Sequence, residues 1–285
     1  MISIVIPARN EAAVIARTLK GMVEGAAPDE LDIIVVCNGC TDETATIARG
    51  FGPPVRVIET IVGSKNHALN VGDESARGFP RVYADADVLI PIDAIRALAD
   101  RLRPGGVLAV APRPRFELSG CSWPVRAYFD IAARLPAARQ GFGGSGVYAL
   151  SEAGRRRFGT FPNVTADDAY VRVQFKPHER ETLASIHSTV FPARTMGNLI
   201  AVTARAQYGN FELARLVPER WTNIGESNHK ALVGLFKDPS LWPRLFIYGL
   251  VTIQARRQAR TRLRTNTFVW ERDETSRAPR HDLRQ

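Results

Sequence analysis

With 285 residues and 45% hydrophobic content, the chain is long enough for one large α/β domain or two small ones, and apolar enough for a real core. Its three cysteines, Cys37, Cys40 and Cys121, are too few for a disulfide framework and lack the second pair of a four-ligand zinc site, so a reducing cytoplasm is expected. The formal net charge of +9 is concentrated late, nine arginines standing against four acids from Arg256 to Gln285, yet that run lacks interleaved aromatics and matches no nucleic-acid-binding module.

The N-terminus runs from Met1 directly into Ile2-Ser3-Ile4-Val5-Ile6, without the basic and apolar regions of an export signal. Short β-rich apolar runs at 2–6, 31–36, 55–58, 81–84 and 107–111 alternate with helical patterns at 11–25, 42–50, 65–77 and 91–102. Such alternation predicts an α/β fold, a mostly parallel sheet with helices on both faces. In open sheets of this class, ligands bind beyond the carboxyl ends of the strands. That rule selects the loops Pro7–Glu11, Asn38–Asp42, Gly63–His67 and Asp85–Asp87.

After Pro112 the alternation stops. Trp123–Leu135 reads as an amphipathic helix, and Gly141-Phe142-Gly143-Gly144-Ser145-Gly146 as a loop leading into the apolar Val147–Leu150. Asn163–Tyr170 reads as a helix start with acids in its first turn, and residues 195–215 and 219–265 as mainly helical. From about Glu274 a disordered tail is expected.

Asp85-Ala86-Asp87 ends one of the apolar runs. Residues i and i+2 of an extended chain share a side, roughly 7 Å apart, so both carboxylates can reach one cation. Hard oxygen ligands suit Mg²⁺ or Mn²⁺, which complete their shells with water and substrate phosphates. Taken alone, such a pair is more often a solvated turn.

Five segments in order change that weighting. Ile4-Val5-Ile6-Pro7-Ala8-Arg9-Asn10-Glu11, Val35-Val36-Cys37-Asn38-Gly39-Cys40-Thr41-Asp42, Lys65-x-x-Ala68-Leu69-Asn70-x-Gly72, Asp85-Ala86-Asp87 and Ala166-Asp167-Asp168 together resemble a family 2 glycosyltransferase, over residues 1 to about 210. The resemblance implies a GT-A fold, a nucleotide-diphosphate sugar donor, a divalent cation, and inversion at the anomeric carbon. It implies a transferase domain over 1–215, with 216–285 a helical, basic extension.

By the same resemblance, Asp87 is the metal ligand, and Asp85 holds the ribose or shares the ion. Asp168 is the expected base for the acceptor hydroxyl, with Asp167 the alternative. Pro7, Ala8, Arg9 and Glu11 cradle the nucleoside, and Asn38 meets the nucleobase from a position where the family often has an acid, leaving a UDP-sugar the default donor. Lys65 is expected near the base or the diphosphate, the more loosely matched Arg205 near the diphosphate, and Gly143, Gly144 and Ser145 on the acceptor side. His187 reads as a core or surface histidine rather than a metal ligand.

The thirteen mostly apolar residues Leu241–Ile253 fall short of the ~20 needed to span a bilayer. Followed by arginines, they suit either the inner surface of an anionic membrane, which would fit a lipid-linked acceptor, or packing against the domain. Two rival readings are a catalytically silent GT-A-like scaffold and another nucleotide-sugar enzyme such as a nucleotidyltransferase. A dinucleotide fold is disfavoured because Ile6 is followed by Pro-Ala-Arg-Asn-Glu rather than by a glycine fingerprint.

Overall fold

The structure, a computed structural model, describes residues 1–136, 142, 144–224, 228–265, 275 and 277. The chain forms two compact units: the first comprises Met1–Arg115, Phe142–Asn163 and Gln174–Val190, the second Phe116–Gly141, Val164–Val173 and Phe191–Gln285.

The first unit is built on a seven-stranded sheet. Its strands are β1 Ile2–Ala8, β2 Leu31–Asn38, β3 Val55–Thr60, β4 Arg81–Ala84, β5 Ala109–Phe116, β6 Val147–Leu150 and β7 Arg180–Val190, arranged β3-β2-β1-β4-β6-β5-β7. β3, β2, β1 and β4 are mutually parallel, and β6 runs antiparallel to both β4 and β5. Every residue of β1 and β2 is buried, as the central strands of a sheet covered on both faces must be. Helix α1, Ile15–Val23, buries Ile15, Leu19 and Met22 at helical spacing, each contributing about 1.5–3 kcal/mol. The further helices of this layer are α2 Thr44–Arg49, α3 Lys65–Ser75 and α4 Ile92–Leu102.

The expected βαβα alternation is present, with two differences. α1 begins at Ile15 rather than at residue 11; Glu11 and Ala12 lie in the turn before it, their backbone N–H groups donating to Thr44 and Asp42 of the next loop. β7 was not foreseen: lying last in the strand order and mixing exposed with half-buried positions, it lacks the alternating apolar signal of an inner strand.

The second unit is helical: α5 Trp123–Ala132, α6 Asp167–Val173, α7 Met196–Leu216, α8 His229–Leu235 and α9 Trp242–Thr265. Val125, Leu199, Ile200 and Val251 form one of its cores, and Ile131, Leu241 and Leu245 another. Among the described residues no helix is long and apolar enough to cross a membrane. Gly143 lies outside the described residues, as does the segment expected to be disordered from about 274, apart from Thr275 and Arg277.

Candidate active site

The parallel strands β1 to β4 bring the four predicted loops to one edge of the first unit. Beyond β1, Asn10 adopts a left-handed φ of 54°. Its N–H donates to Cys40 Sγ at 3.4 Å, and its side-chain oxygen accepts from the Thr41 N–H at 2.7 Å. Cys40 Sγ donates to the carbonyl of Ala8 at 3.3 Å. Asp42 accepts from Ala12 N–H at 3.1 Å and from the N–H and hydroxyl of Thr44, whose Oγ1 in turn accepts from Glu11 N–H at 2.7 Å. Arg9 reaches the third loop, Nη1 donating to Gly63 O at 3.1 Å. The loops after β1, β2 and β3 are thus fastened to one another by named polar bonds. Asn10, Asp42 and Thr44 do this work: the first two stand in the quoted segments without an assigned role and Thr44 outside them, and the signal for all three is small polar residues at strand ends, where they satisfy backbone donors.

Burial pushes the Cys37 thiol up to about 12, and neighbouring Cys40 adds to the rise. Beside it Asn38, only 3% exposed, has a buried Oδ1 with no hydrogen-bond partner among the described residues. A buried acceptor left in this way costs about 1–3 kcal/mol, which a ligand donor would recover.

Lys65 opens α3, whose N-cap Ser64 accepts from His67 N–H at 3.3 Å. Its Nζ lies 2.8 Å from Asp85 Oδ1, both side chains half-buried. The turn after β4 is pinned by its backbone: Asp85 N–H donates to Gly146 O at 2.8 Å, while Thr18 Oγ1 donates to Ala86 O at 2.8 Å and Arg17 Nη2 to Asp87 O at 3.3 Å. Gly146, at φ +66°, lies so close that a Cβ there would stand 2.4 Å from Val88 Cγ1. Among the described residues no group of three or more His, Cys, Asp or Glu gathers into a protein-only metal shell. Two half-buried carboxylates at one turn fit instead a cation that draws its other ligands from water and phosphate.

Asp73, on α3, sits in a buried cluster behind this edge. It accepts from Arg81 Nη1 at 2.7 Å, from the Tyr83 hydroxyl, and from Arg155 at 2.7 Å. Burial works to raise its pKa, but these bonds outweigh it and hold the carboxyl below its usual range. Asn70 adds a reciprocal pair of bonds with the backbone of Phe161, at 3.0 and 2.7 Å. A Cβ on Gly72 would lie 2.4 Å from Val5 Cγ1, so α3 rests directly on the sheet. Lys65 and Asp85 therefore face each other from two elements that Asp73 binds together.

Pro7 and Ala8 are buried in β1, Arg9 is exposed, and Glu11 is buried. Ser145 is 1% exposed, its hydroxyl donating to Val147 O at 2.7 Å and its carbonyl accepting from Ser188, so the side chain serves the turn. Gly144 takes φ +76°. His187 is exposed on β7.

Asp167, Asp168 and Arg205 belong to the second unit. The segment leading into α6 lies against α7: a Cβ on Gly209 would stand 2.6 Å from Ala166 Cβ, and Thr165 N–H donates to Glu212 at 2.7 Å. Asp167 is buried and Asp168 half-exposed, its Oδ1 accepting from Ala169 N–H at 2.8 Å. Burial lowers the pKa of Arg172 on the same helix, and the charge of Asp168 opposes that shift. Arg205 stands one turn before Gly209, on the α7 face that meets Ala166.

A mostly parallel sheet with this strand order, bearing its polar loops along one carboxyl edge, defines the chain as an α/β protein of GT-A architecture. The family model described as glycosyl transferase family 2 matches residues 3–158, and the chain belongs to that family. A 4,4'-diaponeurosporenoate glycosyltransferase of Staphylococcus aureus is 35% identical over 119 residues, which are 39% of this chain and only 31% of that relative. Among solved structures, the mannosyltransferase PcManGT from Pyrobaculum calidifontis, in complex with GDP-Man and Mn²⁺, superposes with a TM-score of 0.58 at 22% identity, covering 93% of this chain and 74% of its own. Glucosyl-3-phosphoglycerate synthase from Mycobacterium tuberculosis, in complex with Mn²⁺, UDP and glucosyl-3-phosphoglycerate, gives 0.56 at 20% identity over 80% and 81% of the two chains.

Proposed function

We propose that the protein is a metal-dependent, inverting glycosyltransferase that moves a sugar from a nucleotide-diphosphate donor, a UDP-sugar in the first instance, to an acceptor hydroxyl. Residues 1–215 would form the transferase domain and 216–285 its helical, basic extension. The observation that carries this reading is the half-buried Lys65–Asp85 pair at the carboxyl edge of the parallel strands, with Asp87 two residues further on. A cation and a carboxylate side by side there suit a donor that brings both a diphosphate and a ribose. The Mn²⁺ or Mg²⁺ of the GT-A neighbours, each solved with a nucleotide, supports the choice of cofactor.

In the proposed chemistry Asp87 holds the cation, with Asp85 sharing it or bonding the ribose. A bound Mg²⁺ or Mn²⁺ would neutralise charge on the departing diphosphate. Lys65, and Arg205 with it, would hold the diphosphate oxygens. Asn38 Oδ1, buried without a partner, would accept from the nucleobase, while the Pro7–Glu11 loop encloses the nucleoside. Asp168, more exposed than Asp167, takes the proton of the acceptor hydroxyl as its oxygen attacks the anomeric carbon. The C1–O bond to the diphosphate breaks on the opposite face, so configuration inverts. Gly144 would border the acceptor. A total of three cysteines, too few for a disulfide framework, accords with a reducing, cytoplasmic setting.

A thermal-shift screen of UDP-, GDP- and other nucleotide sugars, with Mn²⁺ or with EDTA, tests the reading. At about 100-fold over Kd a true donor adds roughly 2.7 kcal/mol, a rise of several degrees. Stabilisation by one nucleotide class that EDTA abolishes is expected. No shift with any sugar nucleotide would contradict it.

A further inference from the structure

We propose that the outward face of residues 229–265 is a docking surface for an anionic lipid bilayer. The inference goes beyond sugar transfer and rests on how α8 and α9 present their side chains.

Helix α9 is two-faced in an unusual sense. Leu245, Val251, Ala255 and Ala259 are buried along one side. On the other side Trp242, Phe246 and Ile253 are 56%, 70% and 53% exposed, and Arg257, Arg260 and Arg264 continue the row. The spacings of four, seven, four, three and four residues keep all six on one face. At 1.5 Å per residue the row is about 33 Å long, apolar in its first half and cationic in its second. The Trp242 indole donates to Phe236 O at 3.1 Å, which fastens the end of α8 beside it. Phe236 and Val233 are themselves 59% and 54% exposed, so five large apolar side chains stand out from this one segment. Scattered exposed apolar residues need no explanation, but a cluster of aromatics beside a cationic row does.

Charge names the occupant. Residues 229–265 contain eight lysines and arginines and one acid, Asp238. Arg244 pairs with Asp130 and Arg260 lies over the Phe211 ring, whereas Arg256, Arg257 and Arg264 form no ion pair among the described residues. A surface with Trp and Phe to enter the headgroup boundary and unpaired arginines along the same face matches an anionic bilayer, which offers both an apolar layer and phosphates. With no helix among the described residues able to cross a membrane, engagement would be at the surface.

The test is co-sedimentation of the full chain with vesicles at low salt. Neutral phosphatidylcholine is compared with vesicles containing about 30 mol% phosphatidylglycerol. Binding to the anionic vesicles, lost on raising the salt to screen surface charge, is expected. Phe246→Glu should lower partitioning at least about tenfold, and Arg257→Glu with Arg264→Glu by a similar factor. All three positions are exposed, so an unchanged melting temperature serves as the control for folding. Equal binding to neutral vesicles, no binding, or wild-type partitioning by the folded variants would overturn the proposal. So would concentration-dependent self-association that Phe246→Glu abolishes, since a second copy would then own this face.

Discussion

Around Asp85 the chain is held by polar bonds. Loops after three strands are laced by Asn10, Asp42, Thr44 and Arg9, and Asp73 ties α3 to β4 through Arg81 and Tyr83 and to Arg155 beyond it. Around Asp168 the chain is held mainly by packing: Val164, Ala166, Ala169 and Leu213 make a small apolar cluster, with Gly209 permitting the approach. The first arrangement gives charged groups fixed positions at the cost of sensitivity to pH and charge. The second places an acid by shape, so it should fail through steric changes. Donor binding and proton removal are therefore expected to respond to different kinds of substitution.

The largest separation should come from Asp168→Asn. Losing a general base lowers kcat by about 10²–10⁴, while nucleotide binding measured by calorimetry stays at the wild-type level. Unchanged turnover would move the base to Asp167 or elsewhere.

Asp73→Asn attacks the polar side. Breaking a buried charge cluster costs about 3–5 kcal/mol at neutral pH, read from denaturant unfolding. The folded-state pKa of Asp73 is depressed below its unfolded value of about 3.9. Its contribution is therefore present above that value and lost as pH falls through the folded pKa. The gap between wild type and variant should narrow toward pH 3, and a gap independent of pH would show that the charge of Asp73 is not what stabilises.

Gly209→Ala attacks the packed side and should have the smallest effect. A methyl 2.6 Å from Ala166 Cβ must be relieved by movement, at about 1–3 kcal/mol. Turnover should fall more than donor affinity, since of this segment only Arg205 would touch the donor; a fall in donor affinity alone would contradict the division of labour between the two segments.

The sheet was legible in the sequence because its inner strands are uninterrupted apolar runs and its loops carry the polar residues, Asp85–Asp87 among them. β7 was not, since its residues Arg180–Val190 alternate weakly and are partly exposed. The Lys65–Asp85 pairing and the Asp73 cluster could not be read either, because both join residues whose nearness depends on how α3 settles on β1 and β2. Ser145 shows the opposite failing: a polar residue in a glycine loop suggests a ligand contact, yet its hydroxyl is spent on Val147. The exposed Phe246 was visible as composition, but its outward direction required α9 to bury Leu245 and Val251.

The central claim is that Asp85–Asp87 anchors a cation and a nucleotide diphosphate. Isothermal titration of UDP and of GDP into the wild type and Asp87→Ala, each with Mn²⁺ and with EDTA, tests it most directly. Binding of one nucleotide that needs Mn²⁺ in the wild type, and is at least about tenfold weaker and indifferent to Mn²⁺ in Asp87→Ala, is the predicted result. Equal, Mn²⁺-dependent binding by both proteins would contradict it.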